Sequence, residues 1–596
     1  MFIRIVFYLD VIIERNQSNR EVVRRSASRL LACAVQDLFP NVKLIEGDQT
    51  DIGFYYDFIF ERSIDASVLP LIEERMRALI HENLPVKTLE MMRENAVEFF
   101  RHRGQEAPAE LLSVAQENII QVLQIKDFYD LCSGSHITKT GEVKAFKLYQ
   151  LGSGVAVLPK SGEQKVVRIK GTAFESASAL KQFLKTMDQA QQRDHRRLGK
   201  ELDLFETSDL LGAGFWLWHP KGAIIRELLL DWWRVEHRKA RFLPVATPRV
   251  VKPSLLEQAG WYDSPGAVEG LFPEFAIEGS DYMVTPTTTP LHMLVFRARL
   301  HSYRELPVRY AECGNLYYCG KRGQLKGMFK ARAYLADDAH IFCTPDQLLE
   351  ELISSLQFID RIVRIFDFQH RLYYGVRRGK YARAIAGWDE SAQVMVEALR
   401  TCGFDYEVDD HVDMCCGPYV KMRLIDALGR EWDGPSVGLD FCQPERFGLR
   451  YQGPDDEMHM PLMITRSTFG SLERFVAILV EHFAGYFPLW LSPEQVRILP
   501  VAEENFDYAN AIGKRLDEQG FRIYVDHRRE TLKAKVRAAE CAKVPYAVVV
   551  GDQEEKKDVI AVRRCKHKKM IHGMRVEDFL QRLYRETENK VLDEEV

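Results

Sequence analysis

From residue 20 the stretch "REVVRRSASRLLACAVQDLF" repeats apolar side chains at helical spacing and predicts an amphipathic helix. The run "GFYYDFIFE" from Gly53 predicts a strand, residues 70–101 read as helical, and 110–158 read as short strands alternating with turns. The first residues, "MFIRIVFYLDVIIERN", are apolar but interrupted by Arg4 and Asp10, so they read as a strand and not as a signal peptide. Between 174 and 204 no proline occurs, and no glycine before Gly199, which predicts one long, polar, exposed helix suited to a linker. A large α+β region follows from about 200 to 490. The last unit opens at "FPLWLSPEQVRILPV", and its strands "VRILPV", "FRIYVD", "YAVVVG" and "VIAVRR" alternate with helices as in a small α/β domain.

Length and charge narrow the class. With 596 residues the chain is long enough for several domains, and 46% hydrophobic with 28% charged residues is the profile of a soluble globular protein. The net charge of −5 excludes a general polycation, so any nucleic-acid contact must come from local basic surfaces. No apolar run reaches the roughly 18 residues needed to span a bilayer. The 11 cysteines are scattered without a CxxC pair, which is the usage expected of reduced thiols in a cytoplasmic protein.

Eight stretches, in order, carry a resemblance that spans nearly the whole chain: "DIGFYYDF", "LCSGSH", "KAFKLYQL", "LGKELDLF", "ELPVRYAECG", "ADDAHIFCT", "GSLERFVAILVEHFAGYFPLWLSP" and "VPYAVVVGD". Together they resemble the threonyl-tRNA synthetases, class II aminoacyl-tRNA synthetases. The resemblance implies an α+β protein with an editing-like domain over 1–172, a linker helix over 173–200, a class II catalytic domain on an antiparallel sheet over 201–490, and an α/β anticodon-binding domain over 491–596. By the same resemblance, the family's small ubiquitin-like module is expected to be absent ahead of the editing-like part. A homodimer is implied, with Pro248 at the proline of the dimer-interface motif, and tRNA is the implied partner.

The functional positions are those where this chain departs from the family. Activation of an amino acid builds charge on the α-phosphate of ATP, which a fixed guanidinium stabilises. Similar enzymes place that arginine at Tyr318 and an adenine-reading glutamate at Gly320. Arg332 and Arg474 are in register as retained phosphate-binding candidates, and the loop adds Lys321, Arg322 and Lys326. The family's zinc is held by one cysteine and two histidines. Here Thr289 stands at the cysteine, His340 at the first histidine and Thr465 at the second. A neutral hydroxyl is a poor zinc ligand, so no zinc is expected, and His340 reads as a packed, hydrogen-bonded histidine. The grouping of His411, Cys415 and Cys416 is a weaker candidate for a replacement metal site. Elsewhere in the pocket Cys416 and Tyr419 replace a tyrosine and a lysine, Asp433 and Gly438 replace glutamines, Ala336 replaces another glutamine, and Asp338 is kept to read an amine.

Two further sites complete the comparison. In the editing domain, Arg25 and Arg29 stand where similar enzymes have two histidines one helical turn apart, while Cys132 and His136 remain. Arginine stays protonated and is no general base; the remnant reads as structural, with phosphate binding as the alternative. The basic residues Lys533, Arg537 and Lys543, the cluster Arg563, Arg564, Lys566, His567, Lys568 and Lys569, and the linker's Arg193, Arg196 and Arg197 are the expected tRNA surface. The sequence therefore reads as a threonyl-tRNA synthetase-like, tRNA-binding, non-catalytic or repurposed paralogue whose ordinary threonine activation and editing are lost or rebuilt. The alternatives are an active ligase with a zinc-free site, or ATP-dependent activation of a different amino acid. ATP and magnesium are expected only if catalysis is retained.

Overall fold

The computed structural model describes residues 2–50, 52–132, 134–263, 268–320, 324–375, 388–409, 417–426 and 429–592. Its contacts gather the chain into two units, Met1–Asp188 and Gln189–Val596.

The first unit opens with helix α1 (Phe2–Leu38), so the expected N-terminal strand is helical instead. No glycine or proline precedes Pro40, and nothing in the local sequence stops the helix from starting at the N-terminus. Ala27, Leu30, Leu31, Ala34 and Val35 are buried at helical spacing against Phe54, Tyr56 and Phe58. Those aromatics lie on β2 (Gly53–Ile59), which pairs with β1 (Lys43–Thr50). Helix α2 (Leu69–His81) ends ahead of Pro85, and β3 (Lys87–Met92) interrupts the helical span expected over 70–101. With β4 (Ile119–Ile125) and β5 (Phe128–Leu131) it forms a three-stranded sheet. The long hairpin β6 (Ala145–Leu158) and β7 (Gly162–Phe174) joins β1 and β2 in a four-stranded antiparallel sheet of order β1-β2-β7-β6.

The single linker helix is in fact two, α3 (Ala177–Arg193) and α4 (His195–Glu201). Asp194 makes the break: its carboxylate accepts from Arg196 N at 2.8 Å and caps the second helix. Nor is α4 exposed throughout, since His195 and Leu198 are buried.

The second unit is built on an eight-stranded sheet. Its strands are β8 (Leu243–Pro244), β9 (Val308–Tyr317), β10 (Ala333–Cys343), β11 (His370–Gly375), β12 (Glu407–Asp409), β13 (Tyr419–Ile425), β14 (Glu431–Asp440) and β15 (Leu462–Ser467), in the order β8-β9-β10-β15-β14-β13-β11-β12. All neighbours are antiparallel except the two short edge strands, which pair in parallel. Helices α5 (Pro220–Lys239), α6 (Thr289–Arg297), α7 (Leu348–Ile365) and α8 (Leu472–His482) pack around it. The apolar stripe Leu352, Leu356, Ile359 and Val363 of α7 joins the sheet's main core. A five-stranded mixed sheet, β16 (Val496–Pro500), β17 (Ile523–Val525), β18 (Tyr546–Val550), β19 (Ile560–Arg564) and β20 (Lys569–Met574), follows in the order β17-β16-β18-β19-β20. Helices α9 (Phe506–Glu518), α10 (Leu532–Cys541) and α11 (Val576–Glu588) complete an α/β layer. The fold class is α+β, on an antiparallel central sheet. Among the described residues no helix is long and apolar enough to cross a membrane.

Candidate active site

Strands β9 and β10 run in continuous register from Val308 opposite Phe342 to Tyr317 opposite Ala333. Residues between and beside these strands line a cavity of about 490 Å³. Tyr318, Phe329, Lys330, Tyr334, Asp338 and Arg474 line it. The last comes from the first turn of α8, whose cap, Ser471, accepts from Arg474 N.

The two substituted positions are sterically linked. A Cβ on Gly320 would stand 2.5 Å from the Tyr318 ring, so the ring occupies the space into which a side chain at 320 would grow. Arg332 is not on the cavity wall. Its Nε and Nη2 donate to Gly320 O at 3.1 and 2.9 Å and its Nη1 to Ala213 O at 3.2 Å, so it fastens two loops. Gly214, at φ +86°, lets that loop pass against the Arg332 stem. Arg474 does reach the cavity; its Nε donates to Phe329 O at 2.9 Å and its Nη1 to Asp433 O at 3.0 Å. The second cation on the wall is Lys330, which the sequence reading passed over; its ammonium stands 5.2 Å from the centre of the Tyr318 ring. Lys321 and Arg322 lie outside the described residues. Lys326 sits over Trp432, 5.6 Å from the ring centre, and Trp432 stacks on Phe329 at 4.2 Å. Buried His195 holds the end of the loop, its Nε2 accepting from Met328 N at 3.1 Å and its Nδ1 lying 2.8 Å from Glu481 Oε1.

The three positions that would carry zinc do come together, and protein groups fill them. His340 pairs with Thr465 across β10 and β15. Its Nε2 lies 3.1 Å from Thr289 Oγ1 and its Nδ1 2.8 Å from His292 Nδ1. His292 Nε2 continues the chain to Glu312 Oε2 at 3.2 Å, and Glu312 accepts from Thr247 N, Thr247 Oγ1 and Arg249 Nη2 at 2.9, 2.7 and 2.5 Å. Burial, reinforced by the neighbouring His292, holds the His340 imidazole well below its ordinary pKa. Burial pushes the Glu312 carboxyl up, but its hydrogen bonds and the Arg249 charge outweigh that and keep it low. A zinc ion needs three or four soft or borderline donors with free lone pairs. Here both nitrogens of the single histidine are engaged and the other two donors are hydroxyls, so the set does not fit zinc. His411, Cys415 and Cys416 lie outside the described residues.

The rest of the amino-acid side is similarly tied down. Asp338 accepts from Thr288 Oγ1 at 2.5 Å, and burial raises its pKa. Tyr419 donates to Asp409 at 3.1 Å, and Asp433 faces Lys421 at 3.4 Å. Ala336 also lines the cavity, whereas a Cβ on Gly438 would meet the Thr465 hydroxyl at 3.0 Å.

In the first unit the two arginines differ. Arg29 is buried: its Nε donates to Leu131 O at 3.0 Å and faces Asp130 at 3.1 Å, and its Nη1 donates to Gly47 O at 2.5 Å. Its charge is taken up internally and is not available to a phosphate. Arg25 donates to Ser135 O at 3.3 Å and faces Asp48 at 3.6 Å. His136 Nδ1 lies 3.3 Å from Ser26 Oγ, and burial raises the Cys132 thiol.

The basic cluster near the C-terminus also divides. Lys533 and Arg537 are exposed on α10. Arg564 is not a surface residue: it is buried, with Nη1 2.8 Å from Glu586, and it packs on Tyr546. Arg563 is paired with Glu540 at 2.6 Å, and Lys543 donates to Ala484 O at 2.6 Å.

An antiparallel sheet bearing a cavity, followed by a small α/β domain, is the architecture of a class II aminoacyl-tRNA synthetase. The family model for the "tRNA synthetase class II core domain (G, H, P, S and T)" matches residues 274–483, the anticodon binding domain 495–586, and the "Threonyl and Alanyl tRNA synthetase second additional domain" 120–169. The threonine--tRNA ligase of Acetivibrio thermocellus is 38% identical over 98% of this chain and 91% of its own length. That of Oleidesulfovibrio alaskensis is 39% identical over 91% of this chain and 84% of its own. A crystal structure described as the RNA binding domain of threonyl-tRNA synthetase from Cryptosporidium parvum superimposes with a TM-score of 0.62 at 30% identity, covering 66% of this chain and 98% of that one. The chain belongs to the threonine--tRNA ligase family.

Proposed function

We propose that this chain is a tRNA-binding member of its family in which zinc-dependent threonine activation and editing are lost or rebuilt. The chain from Thr289 through His340 and His292 to Glu312 carries the reading, because the imidazole that a zinc would require is committed on both sides to protein groups. Arg29 supports it from the first unit, where a guanidinium bonded to Asp130 replaces a titratable base. The anticodon-domain match, together with exposed Lys533 and Arg537, supports tRNA as the partner. A homodimer through the face that carries Pro248, in the cytoplasm, completes the proposal.

A second reading is favoured by the cavity, whose lining includes Asp338 and two cations, Lys330 and Arg474. Under it the chain activates an amino acid with ATP and magnesium but without zinc. Amino-acid-dependent ATP–pyrophosphate exchange with all twenty amino acids, paired with a tRNA gel shift, decides between the two. A tRNA shift without exchange supports the first reading. Exchange with an amino acid other than threonine, or with threonine in the presence of a zinc chelator, supports the second. Zinc-dependent exchange with threonine overturns both.

A further inference from the structure

We infer that Lys330, carried on the face of Tyr318, is the cation that takes the phosphate chain of a nucleotide in this cavity. The inference rests on the second reading above and assigns its missing charge. The position expected to hold the arginine carries Tyr318, and the nearest retained arginine, Arg332, spends its guanidinium on Gly320 O and Ala213 O. Lys330 lies two residues earlier on the same returning segment, yet its side chain turns to the cavity wall. There its ammonium stands over the Tyr318 ring at 5.2 Å, and no carboxylate pairs with it among the described residues.

A cation over an aromatic face is attracted by the ring's quadrupole but keeps its N–H donors for another partner. A lysine in this setting is a point charge held near the cavity with its N–H donors left for an arriving anion. Arg474 is already bonded to two carbonyls, so it lies on the wall as a fixed second cation. The tyrosine has not taken over the charge of an arginine. It positions a charge that comes from the opposite side of the loop. The absence of a side chain at Gly320 is part of the same device, since a Cβ there would collide with the ring that carries the ammonium. One ammonium cannot reproduce the two parallel hydrogen bonds of a guanidinium, so the site holds a phosphate with less angular control than an arginine would.

The test is calorimetric titration of the full-length protein with magnesium ATP and, separately, with adenosine. The wild-type chain is expected to bind ATP more tightly than adenosine. Lys330→Met, which keeps the apolar stem, should lose about tenfold in ATP affinity and leave adenosine unchanged, while Lys330→Arg retains ATP binding. Tyr318→Leu should weaken ATP about threefold, and Tyr318→Phe, which keeps the ring face, should restore it. A melting temperature within about two degrees of wild type shows that each variant is folded. If ATP outbinds adenosine and Lys330→Met changes neither, the assignment of Lys330 is wrong while the nucleotide site stands. If the folded wild-type chain binds no ATP, both the assignment and the second reading fall.

Discussion

His340 Nδ1 lies 2.8 Å from His292 Nδ1, both rings buried. Burial holds the His340 imidazole well below its ordinary pKa and so neutral, with one nitrogen carrying a hydrogen and the other accepting; in either order both are committed to protein, Nδ1 to His292 and Nε2 to the Thr289 hydroxyl. No lone pair of His340 remains for a metal. The purified chain should therefore carry well under one equivalent of zinc by elemental analysis. The double substitution Thr289→Cys with Thr465→His should bring it to about one equivalent, because it rebuilds a Cys, His, His set at positions that already face each other. Stoichiometric zinc in the unmodified chain would refute this account of the site.

Removing His292 tests what the network contributes to the fold. His292→Ala leaves buried Glu312 without one of its donors and His340 Nδ1 without its partner. Leaving buried polar groups unsatisfied costs on the order of 2–4 kcal/mol, so a clear drop in the denaturant midpoint is expected, with an unchanged slope. A variant as stable as wild type would mean that water enters and satisfies both groups.

Much of the molecule could be read from periodicity and turns: α1 over the stretch from residue 20, β2, and the C-terminal alternation of strand and helix, whereas the antiparallel character of the central sheet is legible only through the family resemblance. The misses have local causes. The first residues read as a strand because Arg4 and Asp10 interrupt an otherwise apolar run, but their continuity with an uninterrupted helix prevails. Asp194 was invisible as a break because it is a polar residue inside a polar run, and only its capping bond shows its role. In the site, the substituted positions were identifiable one by one. Their compensation was not, since His292, Glu312 and Lys330 act across strands and a loop that sequence spacing does not bring together.

The two arginines of the first unit should separate sharply. Arg29→Ala strands Asp130 in the interior without its charge partner, a loss on the order of 3–5 kcal/mol. Arg25→Ala removes a looser, half-exposed pair with Asp48, worth roughly 0–1 kcal/mol. Chemical unfolding of both variants checks this, and equal costs would mean that Arg29 is not the structural residue its contacts describe.

His237 should make the fold acid-sensitive. Burial, with the Arg466 charge beside it, lowers its pKa to about 2 from an ordinary value of 6.5. The folded state keeps this imidazole neutral where the unfolded state protonates, so the stability it contributes is complete above about pH 6.5 and drains away as pH falls toward the folded value. The loss is about 1.4 kcal/mol per pH unit. His237→Gln can still donate to Trp233 O and accept from Arg466 without titrating. The stability gap between wild type and this variant should therefore narrow by about that amount between pH 6 and pH 5. A gap independent of pH would show that His237 protonates within the fold.

Charge reversal on α10 should weaken RNA binding without touching the core. Lys533 and Arg537 are both exposed on this helix, whereas Arg564 is locked against Glu586. Each phosphate contact removed lowers the steepness of log affinity against log salt by about one unit, independently of RNA sequence. Lys533→Glu with Arg537→Glu is expected to reduce tRNA affinity at least tenfold at moderate salt, flatten that slope by about two, and leave the melting temperature unchanged. Arg564→Ala should do the reverse: it leaves Glu586 buried with one cation fewer, lowers the melting temperature by several degrees, and keeps the salt slope of whatever protein remains folded. If the α10 pair changes nothing while Arg564→Ala alters the slope, the RNA face lies elsewhere on this domain and Arg564 reaches it by a movement absent from this structure.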